Sequence, residues 1–312
     1  MADKPSRALV LYGDGLARFV DPSHTHLHSL ASKAACGFLS LPNAPPSENE
    51  NERIIREFAH LLDACETYKI VGSQDTSLVP TLPERFMGMK AAIITDDQSL
   101  QSFAGRLGFT VLSFNDINGN DHSHQSSSVD FWTSELLKLI GLQEGMTMEV
   151  TQFDLVFMHI GAGEKMDEHG SCSFAKRTEH INALVASITQ KTQPGSDLGS
   201  RLHLSLVMSY GLVTEIDENL SVCNSKYERS QDLLLLFPKQ SYTMKGEKPR
   251  VDVRHHSPML IAQWQYGVTR MDDAKTFSFK EFKERGGNLA VPADRFLHEV
   301  AFKLWKAPKY GA

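Results

Sequence analysis

Residues 153–170 read FDLVFMHIGAGEKMDEHG, an apolar run that closes on His159 and Ile160 and is followed by Glu164, Asp167, Glu168 and His169. Residues 154–160 show almost no polar alternation, the pattern of a central strand covered on both faces. In open α/β sheets ligands gather outside the carboxyl ends of the strands. The acids and His169 therefore stand as candidate metal ligands. The competing reading is a solvated, charged loop leading into a helix.

A covered strand needs parallel neighbours, and the flanking sequence supplies them. Residues 8–12 (ALVLY) read as a strand, and Gly13-Asp14-Gly15 makes a tight turn at its end, which places Asp14 like an active-site acid. Residues 26–36 carry a helical pattern, and residues 49–64 place Ile54, Ile55, Phe58, Leu61 and Leu62 at amphipathic-helix spacing. Residues 90–95 (KAAIIT), a helix through Leu107 and FTVLSF form a βαβ unit, hence parallel strands. Residues 115–128 are poor in apolar side chains and read as a flexible loop. Helices at 129–140 and 174–190, strands at 201–210, 232–237 and 259–264, and helices near 279–285 and 293–305 complete the alternation. The expectation is one doubly wound α/β domain over residues 1–312. Trp132, Trp264 and Trp305 read as core.

Composition limits the function classes. The chain has 312 residues, 41% of them hydrophobic, and a formal net charge of -6, the wrong sign for non-specific nucleic-acid binding. Cys36, Cys65, Cys172 and Cys223 have no CxxC spacing and read as reduced structural thiols of a cytoplasmic protein. MADKPSRALVLYGDG enters a strand with no apolar leader, and LLLLF at 233–237 falls far short of the roughly 20 residues that span a bilayer. Neither a membrane nor a nucleic acid is an expected partner. Gly13 and Gly15 lack the third glycine and distant acid of a dinucleotide fingerprint. The paired histidines, His24, His26 and His28, then His122 and His124, read as surface residues rather than metal sites.

Taken in order, VLYGDG, HLHSLASKAACGFLSL, MKAAIITDDQSLQSFAGRLGFTVL, FDLVFMHIGAGEKMDEHG, SPMLIAQW and FKEFKERGGNLAV resemble the alkaline-phosphatase superfamily. Within it they are most similar to the archaeal-type cofactor-independent phosphoglycerate mutases. The resemblance implies a three-layer α/β domain with a mostly parallel central sheet. It also implies a site where divalent metals bind phosphoryl oxygens and activate a serine. Asp14 matches the first metal ligand, and Ser47 resembles the nucleophile; equally, Ser47 reads as a helix N-cap, with Glu50 closing a capping box. Asp167 and His169, or Glu164 and Glu168, fall at the ligand positions of the acidic loop, and Asp252, His255 or His256 at the last one.

Two departures shape the functional expectation. Ser209 and Tyr210 stand where the family carries an Asp-His ligand pair, and residues 66–89 replace a cap domain that mutase activity would need. The expectation is a non-catalytic binding or regulatory protein with an eroded metal site, whose partner is a small phosphorylated ligand or another protein. The alternative is a hydrolase of phosphate or sulfate esters with Ser47 as nucleophile and a single Zn, Mn or Mg ion on Asp14, Asp167, His169 and His256.

Overall fold

A computed structural model describes residues 5–66, 80–118, 129–143, 145–161, 172–211, 242–250, 252–254 and 257–308. Its frame is an eight-stranded sheet. The strands are β1 (Arg7–Asp14), β2 (Ala35–Ser40), β3 (Ala91–Ile94), β4 (Thr110–Leu112), β7 (Leu155–Gly161), β8 (Leu202–Met208), β11 (Met259–Trp264) and β12 (Ala290–Pro292). Their spatial order is β12-β2-β11-β8-β1-β7-β3-β4. Two short ribbons, β5 (Leu142–Gln143) with β6 (Met146–Thr147) and β9 (Met244–Lys245) with β10 (Lys248–Pro249), lie outside it. Only β11 runs against its neighbours; β1 pairs in parallel with both β7 and β8, and β3 with β7 and β4.

Alternate residues of β1 face opposite ways, as strand geometry requires. Leu9 and Leu11 enter one core with Val156, Met158, Leu204 and Leu206; Ala8, Val10 and Tyr12 enter the other with Leu155, Phe157 and Val207. Helices Thr25–Lys33, Val129–Leu139 and Cys172–Lys191 cover the first face, the last through Ile181, Leu184, Val185 and Ile188. Helices Glu50–Leu61, Gln98–Arg106 and Phe296–Lys303 cover the second. This is the expected three-layer α/β architecture with a mostly parallel sheet. No helix among the described residues is long and apolar enough to cross a membrane.

Several local expectations are corrected. The helical pattern at 26–36 is cut short: Thr25–Lys33 is helix, but Ala35–Ser40 forms β2, buried throughout. Its small residues carry little β signal; it is a strand because it pairs with β11 on one side and β12 on the other, where its backbone passes close to residues 288–289. A Cβ on Gly37 would lie 2.7 Å from both the Asn288 Cβ and the Leu289 carbonyl oxygen. Gly37→Ala is therefore expected to lower the unfolding free energy by about 1–3 kcal/mol. An unchanged urea midpoint would mean that the turn yields freely.

The helix starting near residue 49 is capped by Asn49, with Glu52 completing the box, not by Ser47 and Glu50. Phe114–Asn118 is a short helix where loop was expected, and the rest of that predicted loop, 119–128, lies outside the described residues. So do His122, His124, Cys223 and the strand expected at 232–237. Among the paired histidines, His24 is buried rather than at the surface, with its Nδ1 3.2 Å from Asp21 Oδ1. Trp132 and Trp264 are buried, whereas Trp305 is 54% exposed just beyond the last helix.

Two histidines are held neutral in the second core face. Burial, then the nearby Arg56 charge, pushes His60 down from 6.5 to about 3. Burial, then Lys303, pushes His203 well below its ordinary value. Below pH 6.5 the unfolded chain takes up protons that the fold refuses, so this contribution is whole above 6.5 and is lost as pH falls toward 3. Urea midpoints should fall over that interval, and less steeply for His60→Gln; parallel curves would rule His60 out as a cause.

Candidate functional site

Because β1, β3, β7 and β8 are parallel, their carboxyl ends meet on one edge. Asp14 closes β1, Thr95 follows β3, His159 lies near the end of β7 and Ser209 follows β8. Asp14 is fully buried. The Ser209 hydroxyl donates to its Oδ1 at 2.9 Å and accepts from the Gly15 amide at 2.8 Å. The Tyr12 hydroxyl approaches the same oxygen at 3.4 Å.

The dominant partner of Asp14 comes from the helix Glu50–Leu61. Arg53 Nη1 donates to Asp14 Oδ1 at 2.8 Å and Nη2 to Oδ2 at 3.0 Å, a two-pronged pair. Nη1 also donates to Glu57 Oε2 at 2.7 Å, Nη2 to Glu50 Oε1 at 2.6 Å and Nε to Glu50 Oε2 at 2.9 Å. A guanidinium has five N–H donors, and here every one ends on a carboxylate. Arg53 is 1% exposed and Glu57 fully buried. Arg254 adds a second cation, with Nη1 3.4 Å from Glu57 Oε1 and Nη2 donating to the Ser257 carbonyl at 2.5 Å. Arg56 pairs with Glu48 just outside the cluster.

The electrostatics follow from that contact list. Burial alone would raise the Asp14 carboxyl, but the Arg53 guanidinium and His159 together hold Asp14 well below the usual carboxylate range. Burial pushes Glu57 upward against the opposing pull of Arg53 and Arg254. Burial and the Asp14 charge together raise the Tyr12 phenol well above its ordinary value.

His159 lies at the rim of this cluster. Its Nδ1 is 2.9 Å from the Thr95 hydroxyl, which itself accepts from the Asp97 amide at 3.1 Å. Its Nε2 is buried, has no hydrogen-bond partner and lies 3.8 Å from Asp14 Oδ2. A Cβ on Gly161 would sit 2.9 Å from the His159 Cε1, so glycine is what lets the β7 backbone close over the ring.

The sequence-predicted residues fare unequally. Asp14 is central, and Ser209 is bonded to it. Ser47 lies in an exposed turn, and Asp252 is exposed. Glu164, Asp167, Glu168, His169, His255 and His256 lie outside the described residues. Arg53, Glu57, Arg254 and His159 were missed. One signal was present: Glu50, Arg53 and Glu57 follow helical spacing on the same side as Ile54, Phe58 and Leu61, charges set against an apolar stripe.

Among the described residues, a divalent metal does not fit the donor set around Asp14. Both Asp14 oxygens are taken by Arg53, and among the described residues no three His, Cys, Asp or Glu side chains are grouped to hold an ion.

No known family and no curated protein matches the chain by sequence. Solved structures do match. The PH0037 protein from Pyrococcus horikoshii is 13% identical, with 99% of each chain covered and a TM-score of 0.54. The lipoteichoic acid synthase LtaP from Listeria monocytogenes is 10% identical over 98% of this chain and 73% of its own, with a TM-score of 0.52. A cofactor-independent phosphoglycerate mutase from Thermoplasma acidophilum is 9% identical over 96% of this chain and 99% of its own, at a TM-score of 0.47. At these identities the likeness concerns the fold alone, a three-layer α/β fold of alkaline-phosphatase-like type.

Proposed function

We propose that this chain is a non-catalytic protein on an alkaline-phosphatase-like fold, working by binding a phosphorylated small molecule or a protein partner. The observation that carries the reading is the saturated Arg53 guanidinium on both oxygens of Asp14. Phosphoryl transfer on this fold needs a cation that is free to polarise a substrate oxygen. Here the cation is covalently part of the chain, and all of its donors are spent on carboxylates. A dication placed on Asp14 would also have to sit against a buried positive charge. Ser209 supports the same reading, because a hydroxyl that donates to Asp14 stabilises the carboxylate without offering the charge a metal requires.

Elemental analysis of the purified protein and of Asp14→Ala, with an assay on phosphate and sulfate esters in added Zn, Mn or Mg, tests this. Expected are no stoichiometric metal in either protein and no turnover above buffer. About one metal per chain, lost in Asp14→Ala and accompanied by ester hydrolysis, would instead establish a single-metal hydrolase.

A further inference from the structure

Opposite the Asp14 edge, the amino ends of the same strands carry two arginines that the chain leaves without a bonded counter-charge. Arg7 opens β1, and Arg201 ends the helix Asp197–Arg201 that leads into β8. Arg7 is in register with Leu202, the residue after Arg201. The length of β1, about 23 Å, separates them from Asp14. Arg7 is 8% exposed and Arg201 9%, and the Nε of each is buried and donates to nothing. Arg7 Nη1 stands 3.8 Å from Asp154 Oδ1, too far for a hydrogen bond, and Lys306 draws on the same carboxylate at 3.3 Å. Arg201 has no carboxylate within ion-pair distance among the described residues. Burial, then the Arg7 charge, lowers the Arg201 guanidinium from its ordinary value against the pull of Asp197, so the two cations repel each other.

The backbone holds the two residues together in spite of that repulsion. Gln265, 1% exposed, donates through Nε2 to the Ser6 hydroxyl and to the Ser200 carbonyl, each at 2.9 Å, and so ties the residues that precede the two arginines. The Ser6 amide donates to the Lys303 carbonyl at 3.1 Å. A buried cation without a counter-charge costs stability, and an anion bridging two of them removes that cost. Guanidinium forks match the oxygens of a phosphate, and a pair of them matches its double charge. From this arrangement we infer that Arg7 and Arg201 form an anion site at the amino edge of the sheet, with Lys306 at its rim, for a phosphate dianion that is free or ends a small monoester. The net charge of -6 argues against the phosphates of a nucleic acid. The site is remote from Asp14 and does not depend on whether that centre is catalytic.

The test is calorimetric titration of sodium phosphate into the wild type at mildly alkaline pH and constant ionic strength, with unfolding temperature in parallel and sodium acetate as the control. The wild type should bind about one phosphate per chain at millimolar affinity or better and gain several degrees in Tm, a gain acetate does not give. Arg7→Gln and Arg201→Gln should each weaken binding by about tenfold or more. Without phosphate Arg201→Gln should be no less stable than the wild type, because it removes a repelled charge and no bond; in saturating phosphate the wild type should be the more stable. Equal responses to phosphate and acetate would show ionic screening only and overturn the inference. Undiminished binding in both variants would overturn it too, as would an Arg201→Gln variant already destabilised without phosphate. Glycerol 3-phosphate run alongside separates the two sources: competition with inorganic phosphate supports a monoester, and its exclusion supports the free ion. Amide hydrogen exchange of the wild type needs no variant. Phosphate should protect residues 6–8 and 197–203, and protection confined to the Asp14 edge, or none, overturns the assignment.

Discussion

Replacing Arg53 by Ala in metal-free buffer should lower the unfolding free energy by about 3–5 kcal/mol, the usual cost of stranding one side of a buried ion pair. Arg53 answers two fully buried carboxylates and a third at the surface. Its removal leaves Asp14 with Ser209, Tyr12 and the nearby His159, and Glu57 with Arg254. The damage belongs to the unpaired charges and not to the lost attraction. Arg53→Met combined with Asp14→Asn and Glu57→Gln should therefore recover most of it, since neutral residues of similar volume need no counter-charge. Arg53→Lys should recover less, because an ammonium cannot reproduce the two-pronged geometry on Asp14. Urea denaturation of the set checks the order. A triple variant no more stable than Arg53→Ala would show that the geometry of the network, and not its charge balance, holds this edge of the sheet.

Phe157→Ala should cost a similar 3–5 kcal/mol, through packing instead of charge. Phe157 is fully buried on β7. It meets Phe58 edge-on at 5.5 Å between ring centroids, Phe109 at 5.9 Å and Phe296 at 6.3 Å, so one ring joins three covering segments to the sheet. Phe58 in turn stacks on Tyr12 at 6.2 Å, directly beneath Asp14. Truncation should thus loosen the helix that carries Arg53 as well as the core. The check is amide hydrogen exchange alongside the urea midpoint. A loss below about 1 kcal/mol would mean that the cluster collapses into the gap.

The chain alone made much of the architecture legible. Residues 154–160 and 8–12 are apolar on both faces, a pattern that fits a central strand in a parallel sheet. Asp14 followed from the same logic, since an acid at the end of such a strand must lie on the edge where the other parallel strands end. β2 was not legible because Ala35, Cys36 and Gly37 have weak strand preference, and their conformation is set by β11 on one side and the 288–289 turn on the other. The N-cap was misplaced by two residues because Ser47 and Asn49 each stand three residues before a Glu, and only the path of the chain selects between them.

The centre itself depended on tertiary structure for a specific physical reason. Asp14 and Ser209 are 195 residues apart, and Arg53 is 39 from Asp14, yet all three meet within hydrogen-bond distance. Hydrophobic periodicity reports which face of an element is buried, and says nothing of which buried charge answers which. The sequence determined that an acid would end β1. Only the packed molecule decided that a guanidinium would lie against that acid, because ion pairing inside a core depends on distances set by the whole sheet and the helix laid across it.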